Sequence, residues 1–281
     1  MKKFILFIFS ILSMSTLAQQ NLTPEMLWQL GRVSPLGISK DGKLLIYKVG
    51  TPDMAENKIN SKFYTIPVQG GTASEIEDYA SLLADKNVSS NGKLKLISQE
   101  VKVEKILGTD IYPELTKTTA QVYNGLDYRH WDTWNDGSHN HVFIETIGAP
   151  NIKVIAPYDI MPNEPYDSPQ KPFGGDEDYI WSPDGSKVIY VSKKKAGTAY
   201  ATSTNTDLYA YDVTTKTTKN LTEDNLGYDL APQFSPNGDL TWLQMKRDGY
   251  EADKNDIIVR HKGVDLNLTS NWDGTVDAFT W

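Results

Sequence analysis

A chain of 281 residues with 39% hydrophobic and 11% aromatic content is long enough for one large or two ordinary domains, and too apolar for a disordered polymer. Its formal net charge of -8 argues against nonspecific attachment to nucleic acid or an anionic bilayer, so neither is expected as a partner. There is no cysteine, which excludes disulfides and a thiol nucleophile and leaves stability to burial and sheet pairing.

Lys2 and Lys3 precede an apolar run from Phe4 to Leu12, and small residues then lead to Thr16-Leu17-Ala18. This pattern predicts a signal peptide over 1–18, cleaved after Ala18. Gln19 follows and not Cys, so no lipid anchor is expected. No later stretch approaches the ~20 apolar residues of a membrane span, so no membrane insertion is expected. The mature chain reads as exported and soluble, periplasmic or extracellular. Residues 19–33 form an N-terminal strap: Thr23 as N-cap, Pro24 at the first helical position and Gly31 beyond the last turn predict a short helix. Its Leu27, Trp28 and Leu30 are expected to pack on a larger body.

From Ser34 onward a pattern repeats: a hydrophobic anchor, a turn containing Gly, then an apolar strand. The clearest copy is Trp181-Ser182-Pro183-Asp184-Gly185-Ser186-Lys187-Val188-Ile189-Tyr190, with related copies at Ile38–Tyr47, Val88–Ile97 and Phe234–Leu243. Asp or Asn at the third turn position and Gly at the exit predict a β-turn in each, with Pro183 and Pro236 adding a fixed φ at the second position of two of them. A second strand follows each copy, at Phe63–Val68, His141–Ile147, Asp207–Val213 and Asp256–Arg260. The span from turn glycine to second strand is similar in the first, third and fourth copies and more than doubled from Gly92 to Val142, which marks an insertion over 100–138. Trp134-Asn135-Asp136-Gly137 imitates the turn. It is set aside because the following strand leads through Gly148-Ala149-Pro150 to Lys153-Val154-Ile155, as in the Tyr209–Leu221 hairpin.

Four units result, at about 34–79, 80–160, 176–224 and 229–272, and a fifth opens near 277. About four short strands in a period of about 45–50 residues is the mark of propeller blades. The fold class is therefore all-β, an incomplete β-propeller over 34–281 of about four four-stranded blades, and the chain is expected to be part of a longer one. Asn220-Leu221-Thr222 and Asn267-Leu268-Thr269 close equivalent strands and also match the N-glycosylation pattern.

The insertion is where aromatic, acidic, Arg and His residues gather, from Asp110-Ile111-Tyr112-Pro113-Glu114 to Tyr128-Arg129-His130-Trp131-Asp132-Thr133-Trp134. Binding residues concentrate on loops held by a rigid scaffold, so Asp110, Glu114, Arg129, Trp131 and Asp132 are the candidate substrate-binding residues. The competing view makes Trp131 and Trp134 packing anchors and pairs Arg129 with Asp127 or Asp132. His130, His139 and His141, with Asp132 and Asp136, invite a metal reading, yet no third ligand is specified, and neither metal nor cofactor is expected. The run Gly174-Gly175-Asp176-Glu177-Asp178 reads as a solvated entrance to the next unit. No Gly-x-Ser-x-Gly elbow, phosphate-cradling loop or dinucleotide fingerprint occurs, so no catalytic residue is assigned.

The helix Thr23–Gly31, the Trp181–Tyr190 repeat and above all Tyr128-Arg129-His130-Trp131-Asp132-Thr133-Trp134 together resemble the N-terminal propeller of the prolyl oligopeptidase family, in its secreted dipeptidyl-peptidase V and acylaminoacyl-peptidase-like branch. The resemblance covers Leu22 to Trp281. It implies a serine peptidase whose Ser-Asp-His triad lies on a C-terminal α/β-hydrolase domain, the partner of the propeller in the full-length chain. It also implies that the propeller admits short peptides to the cavity above the triad, and that this chain alone is inactive. A second class is a noncatalytic envelope-binding propeller of Tol-system or WD-repeat type.

Overall fold

The computed structural model describes residues 21–129, 131–148 and 156–281. The predicted signal peptide, His130 and the predicted strand Lys153–Ile155 lie outside the described residues. The chain divides into two compact units, one running to Asp85 and the other from Lys86 to Trp281. No helix among the described residues is long and apolar enough to cross a membrane.

The first unit is a four-stranded antiparallel meander, β1 (Arg32–Ile38), β2 (Leu44–Asp53), β3 (Lys58–Pro67) and β4 (Ser74–Ile76), paired in sequence order. Helix α1 (Pro24–Gln29) precedes it, with the Thr23 hydroxyl accepting from Met26 N at 3.2 Å. The expected packing of its apolar side chains is not found: Leu27, Trp28 and Leu30 are 48%, 47% and 54% exposed. A helix of six residues presents too little apolar stripe to bind a sheet. Trp28 instead takes the Arg32 guanidinium over its ring at 5.0 Å.

The second unit holds three sheets. β5 (Leu94–Lys102), β6 (Ser138–Thr146) and β7 (Tyr158–Asp159) form a three-stranded sheet. β8 (Tyr179–Trp181), β9 (Lys187–Ser192), β10 (Asp207–Asp212) and β11 (Thr217–Asn220) form the next, and β12 (Asp229–Phe234), β13 (Leu240–Gln244), β14 (Asp256–His261) and β15 (Val264–Asn267) the last. Each is an antiparallel meander. The chain is thus mostly β, in four antiparallel sheets of propeller-blade type.

The period-2 alternation of strands decides how these sheets stack. In β9 and β10, Val188, Tyr190, Tyr209 and Tyr211 face one way and pack with Leu96, Val142, Ile144, Ile160 and Met161 of the preceding sheet's region. Ile189, Val191, Leu208 and Ala210 face the other way and pack with Leu240, Trp242 and Ile258 of the following sheet. The central sheet is buried on both faces, so β9 reads as the unbroken apolar run Val188–Val191. Trp181 pins it to the chain ahead of β5, its indole N–H donating to Asn87 O at 2.8 Å.

The turn repeat has one geometry. Ser182 Oγ donates to Asp184 Oδ1 at 2.6 Å, Gly185 N donates to Ser182 O at 2.8 Å, and Lys187 N donates to Ser182 Oγ at 2.9 Å. The same three bonds recur with Ser39, Asp41, Gly42 and Leu44, and with Ser89, Asn91, Gly92 and Leu94. The copy at Ser235 is one residue shorter, with Asp239 N donating to Ser235 Oγ. The exit glycines have φ between 70° and 86°, which L side chains rarely adopt.

The two Asn-Leu-Thr segments form a second repeated device. Asn220 Nδ2 donates to Asp207 Oδ2 at 3.0 Å and Leu208 N donates to Thr222 Oγ1 at 3.0 Å. Asn267 Nδ2 donates to Asp256 Oδ2 at 2.9 Å and Ile257 N donates to Thr269 Oγ1 at 3.0 Å. Both asparagine amides are engaged in locking the fourth strand to the third.

The acidic run before β8 is not a solvated entrance throughout. Asp176 and Glu177 are exposed, but Asp178 is only 3% exposed and accepts from Gln170 N at 2.8 Å. That bond draws the carboxyl inward, and burial, with Glu177 adding to it, pushes it up to about 7.

Candidate functional site

β5 and β6 pair without a break from Leu94↔Thr146 to Lys102↔Ser138, so the segment 103–137 leaves and returns at one end of this sheet. Its stem continues beyond the strands. Val103 N and Glu104 N both donate to Gly137 O, Val122 N donates to Ile106 O, and Tyr123 Oη donates to Asn135 O at 2.7 Å. Gly137 makes this possible: its φ is +88°, and a Cβ there would lie 2.2 Å from Glu104 O.

Asp110 lies in the one-turn helix α2 (Gly108–Ile111). Its carboxylate accepts from Leu107 N at 2.8 Å and Ile106 N at 3.2 Å, and Lys102 Nζ is 2.9 Å away. The bond from Lys102 is the chief reason that this carboxyl is held below the usual range. Asp110 is thus committed to building the stem. Glu114 is exposed in the turn that follows.

Arg129 and Asp132 come together, while Trp131 turns to Phe173. The Arg129 guanidinium lies 4.7 Å over the Trp134 ring and reaches Asp132 O at 3.5 Å. The suggested pairing with a carboxylate is not made, since the Asp127 carboxylate accepts from Asn135 N at 3.1 Å. Trp131 meets Phe173 edge-on, centroids 5.5 Å apart, and the two are 66% and 72% exposed. Trp134, 49% exposed, lies between the Arg129 guanidinium and the Tyr123 ring, so the segment carries two exposed aromatic pairs.

Below it, β6 carries two histidines on its inner face. His139 Nδ1 is 3.2 Å from Asp167 and Nε2 is 3.3 Å from Glu104. Burial lowers its affinity for a proton, but the two carboxylates outweigh burial and the pKa is raised. Lys171 joins this cluster through Asp167 at 3.5 Å and Glu100 at 3.3 Å. His141 is fully buried, with Nδ1 2.7 Å from Asp159 Oδ2 and Nε2 2.9 Å from Glu164 O. Lys194 reaches Glu164 and lies 4.2 Å over the Tyr209 ring.

These two clusters escape sequence reasoning because Asp159, Glu164, Asp167 and Lys194 lie far from the histidines in the chain and carry no motif. Their chemistry is structural. Each ring is buried with both nitrogens held by groups of the fold, so neither is presented to a ligand. Among the described residues no group of three His, Asp or Glu side chains is placed to hold a metal ion, and His139 and His141 are parted from Asp132 and Asp136 by these bonds.

No family model matches the chain. It is similar to the dipeptidyl-peptidase 5 of Porphyromonas gingivalis, 34% identical, over 96% of this chain and 46% of the relative. To that of Porphyromonas endodontalis it is 32% identical, over 83% of this chain and 40% of the relative. The chain thus spans about half the length of the curated relatives it matches. Among solved structures, the acylaminoacyl peptidase of Pyrococcus horikoshii covers 90% of this chain with a TM-score of 0.52 at 10% identity, a likeness of fold, and 41% of that chain is covered. Four antiparallel meanders and this similarity along nearly the whole length agree, and together they support a propeller-like region of a peptidase of the prolyl oligopeptidase type.

Proposed function

We propose that this chain is the substrate-gating propeller portion of an exported serine exopeptidase, of dipeptidyl- or acylaminoacyl-peptidase type, that hydrolyses short peptides. The observation that carries the reading is the similarity to dipeptidyl-peptidase 5 along 96% of the chain. In this reading the nucleophile belongs to an α/β-hydrolase domain outside these residues, and the signal peptide over 1–18 directs export. His139 and His141 accord with it, being buried among Glu104, Asp159, Glu164 and Asp167 and not turned to the surface.

A rigid array of sheets screens substrates by size, because a folded protein cannot follow a peptide through a narrow opening. The inserted segment supplies the contacts. An exopeptidase that reads a free N-terminus needs a carboxylate for the α-ammonium, and exposed Glu114 is the better placed of the two candidates because Asp110 is bound to Lys102. Arg129, Trp131 and Asp132 offer an aromatic surface for a peptide side chain. In the full-length enzyme, Glu114→Gln should raise KM about tenfold for free-amine dipeptidyl substrates and leave N-acylated ones unchanged. An unchanged KM for the free-amine series removes Glu114 from the role.

A further inference from the structure

Two equivalent connections, from the second to the third strand of the last two sheets, enclose a cleft of about 390 Å³. Its walls come from Lys193 and residues 201–204 on one side and 249–252 on the other, with Tyr228 also lining it. The volume lies at the lower end of small-molecule sites.

The walls are fastened. Asp248 Oδ1 accepts from Ser203 Oγ at 2.7 Å and Thr204 N at 2.8 Å, and Gly249 N donates to Thr204 Oγ1 at 3.0 Å. Met245 N donates to Tyr228 O at 2.8 Å, which fixes the edge. Arg247 grips Asp253 through two nitrogens, at 3.1 and 2.9 Å, and lies 4.2 Å over the Tyr250 ring. These bonds join the loops to each other and to their sheets, so the cleft is preformed.

Beside it Asp248 and Arg247 have partners, whereas no ion pair among the described residues joins Lys193 and Glu251, which line it. Lys193 is half-buried, its ammonium lies 4.7 Å over the Tyr200 ring, and no ion pair engages it among the described residues. Burial holds it below the usual lysine range against the pull of Asp248 and Glu251. A single cation beside acidic groups selects a monoanion over a phosphate dianion. A carboxylate in the same cleft calls for a cationic group on the same ligand, and Tyr228 and Tyr250 line the cleft.

We infer that this cleft binds an amino acid or dipeptide as its zwitterion, the ligand carboxylate on Lys193 and the ligand ammonium toward Glu251. The inference does not rest on the peptidase reading, because it concerns binding and needs no nucleophile. Isothermal titration of the full chain with glycyl-phenylalanine tests it, beside its C-terminal amide and its N-acetyl form. The unmodified dipeptide should bind; amidation or Lys193→Met should weaken binding about ten- to a hundredfold, with Lys193→Arg retaining it. Glu251→Gln should weaken binding of the free amine and leave the N-acetyl form unaffected. Absence of binding at millimolar dipeptide, or equal binding of the amide by the unmodified chain, overturns the proposal without any variant having to fold.

Discussion

Asn220 and Asn267 hold equivalent positions, each giving its amide to an aspartate that begins the third strand of its sheet. In sequence these segments could be read as strand ends or as glycosylation acceptors, and only the partner, Asp207 or Asp256, distinguishes a lock from an open surface. Asp256 is 4% exposed and also takes Thr269 Oγ1 and Lys254, so losing one donor weakens but does not strand it. Asn267→Ala should cost about 1 kcal/mol, read as a lower urea midpoint with unchanged slope. Asp178 gives a pH signature. Its folded pKa, raised by burial to about 7 against an ordinary 3.8, means that the native state binds the extra proton between these values. Its contribution to stability is therefore fully present below about 4 and lost as pH rises through about 7, an effect on the order of 3 kcal/mol. Asp178→Asn should flatten that part of the stability profile, measured as the urea midpoint at pH 4 and pH 7.

At the scale of elements, the insertion was legible as an interruption of the repeat, and its composition pointed to a surface for ligands. What it could not display was which residues build the stem and which face outward. Asp110 and Glu114 look alike in sequence, yet Lys102 and two backbone amides claim the first. Arg129 beside Asp127 and Asp132 suggested an ion pair, and the indole face of Trp134 won instead. The His139 and His141 clusters were invisible because their partners arrive from separate stretches, Glu104 from the inserted segment, Asp159 from β7 and Glu164 and Asp167 from the loop after it. The stem depends on Gly137: Gly137→Ala combines a left-handed backbone with a contact 2.2 Å from Glu104 O. It should destabilise the protein by at least about 2 kcal/mol, seen as a lower thermal midpoint and earlier proteolysis within 103–137.

For the whole molecule, the repeat was the readable part. The Ser-x-Asp/Asn-Gly turn fixes where the strand after it begins, and alternation along Val188–Val191 sends two residues to each neighbouring sheet. Helix α1 was legible from its cap, but its expected packing was not, because two apolar residues per turn over six residues do not determine a docking surface. The central proposal is a division of labour, in which these 281 residues select peptides and a separate domain of the full-length enzyme cleaves them. The direct measurement is release of a fluorogenic dipeptidyl reporter by the complete enzyme and by the 281-residue chain, purified alike. The account predicts turnover by the complete enzyme and none by this chain. Turnover by the 281-residue chain alone, or none by the complete enzyme, would contradict it.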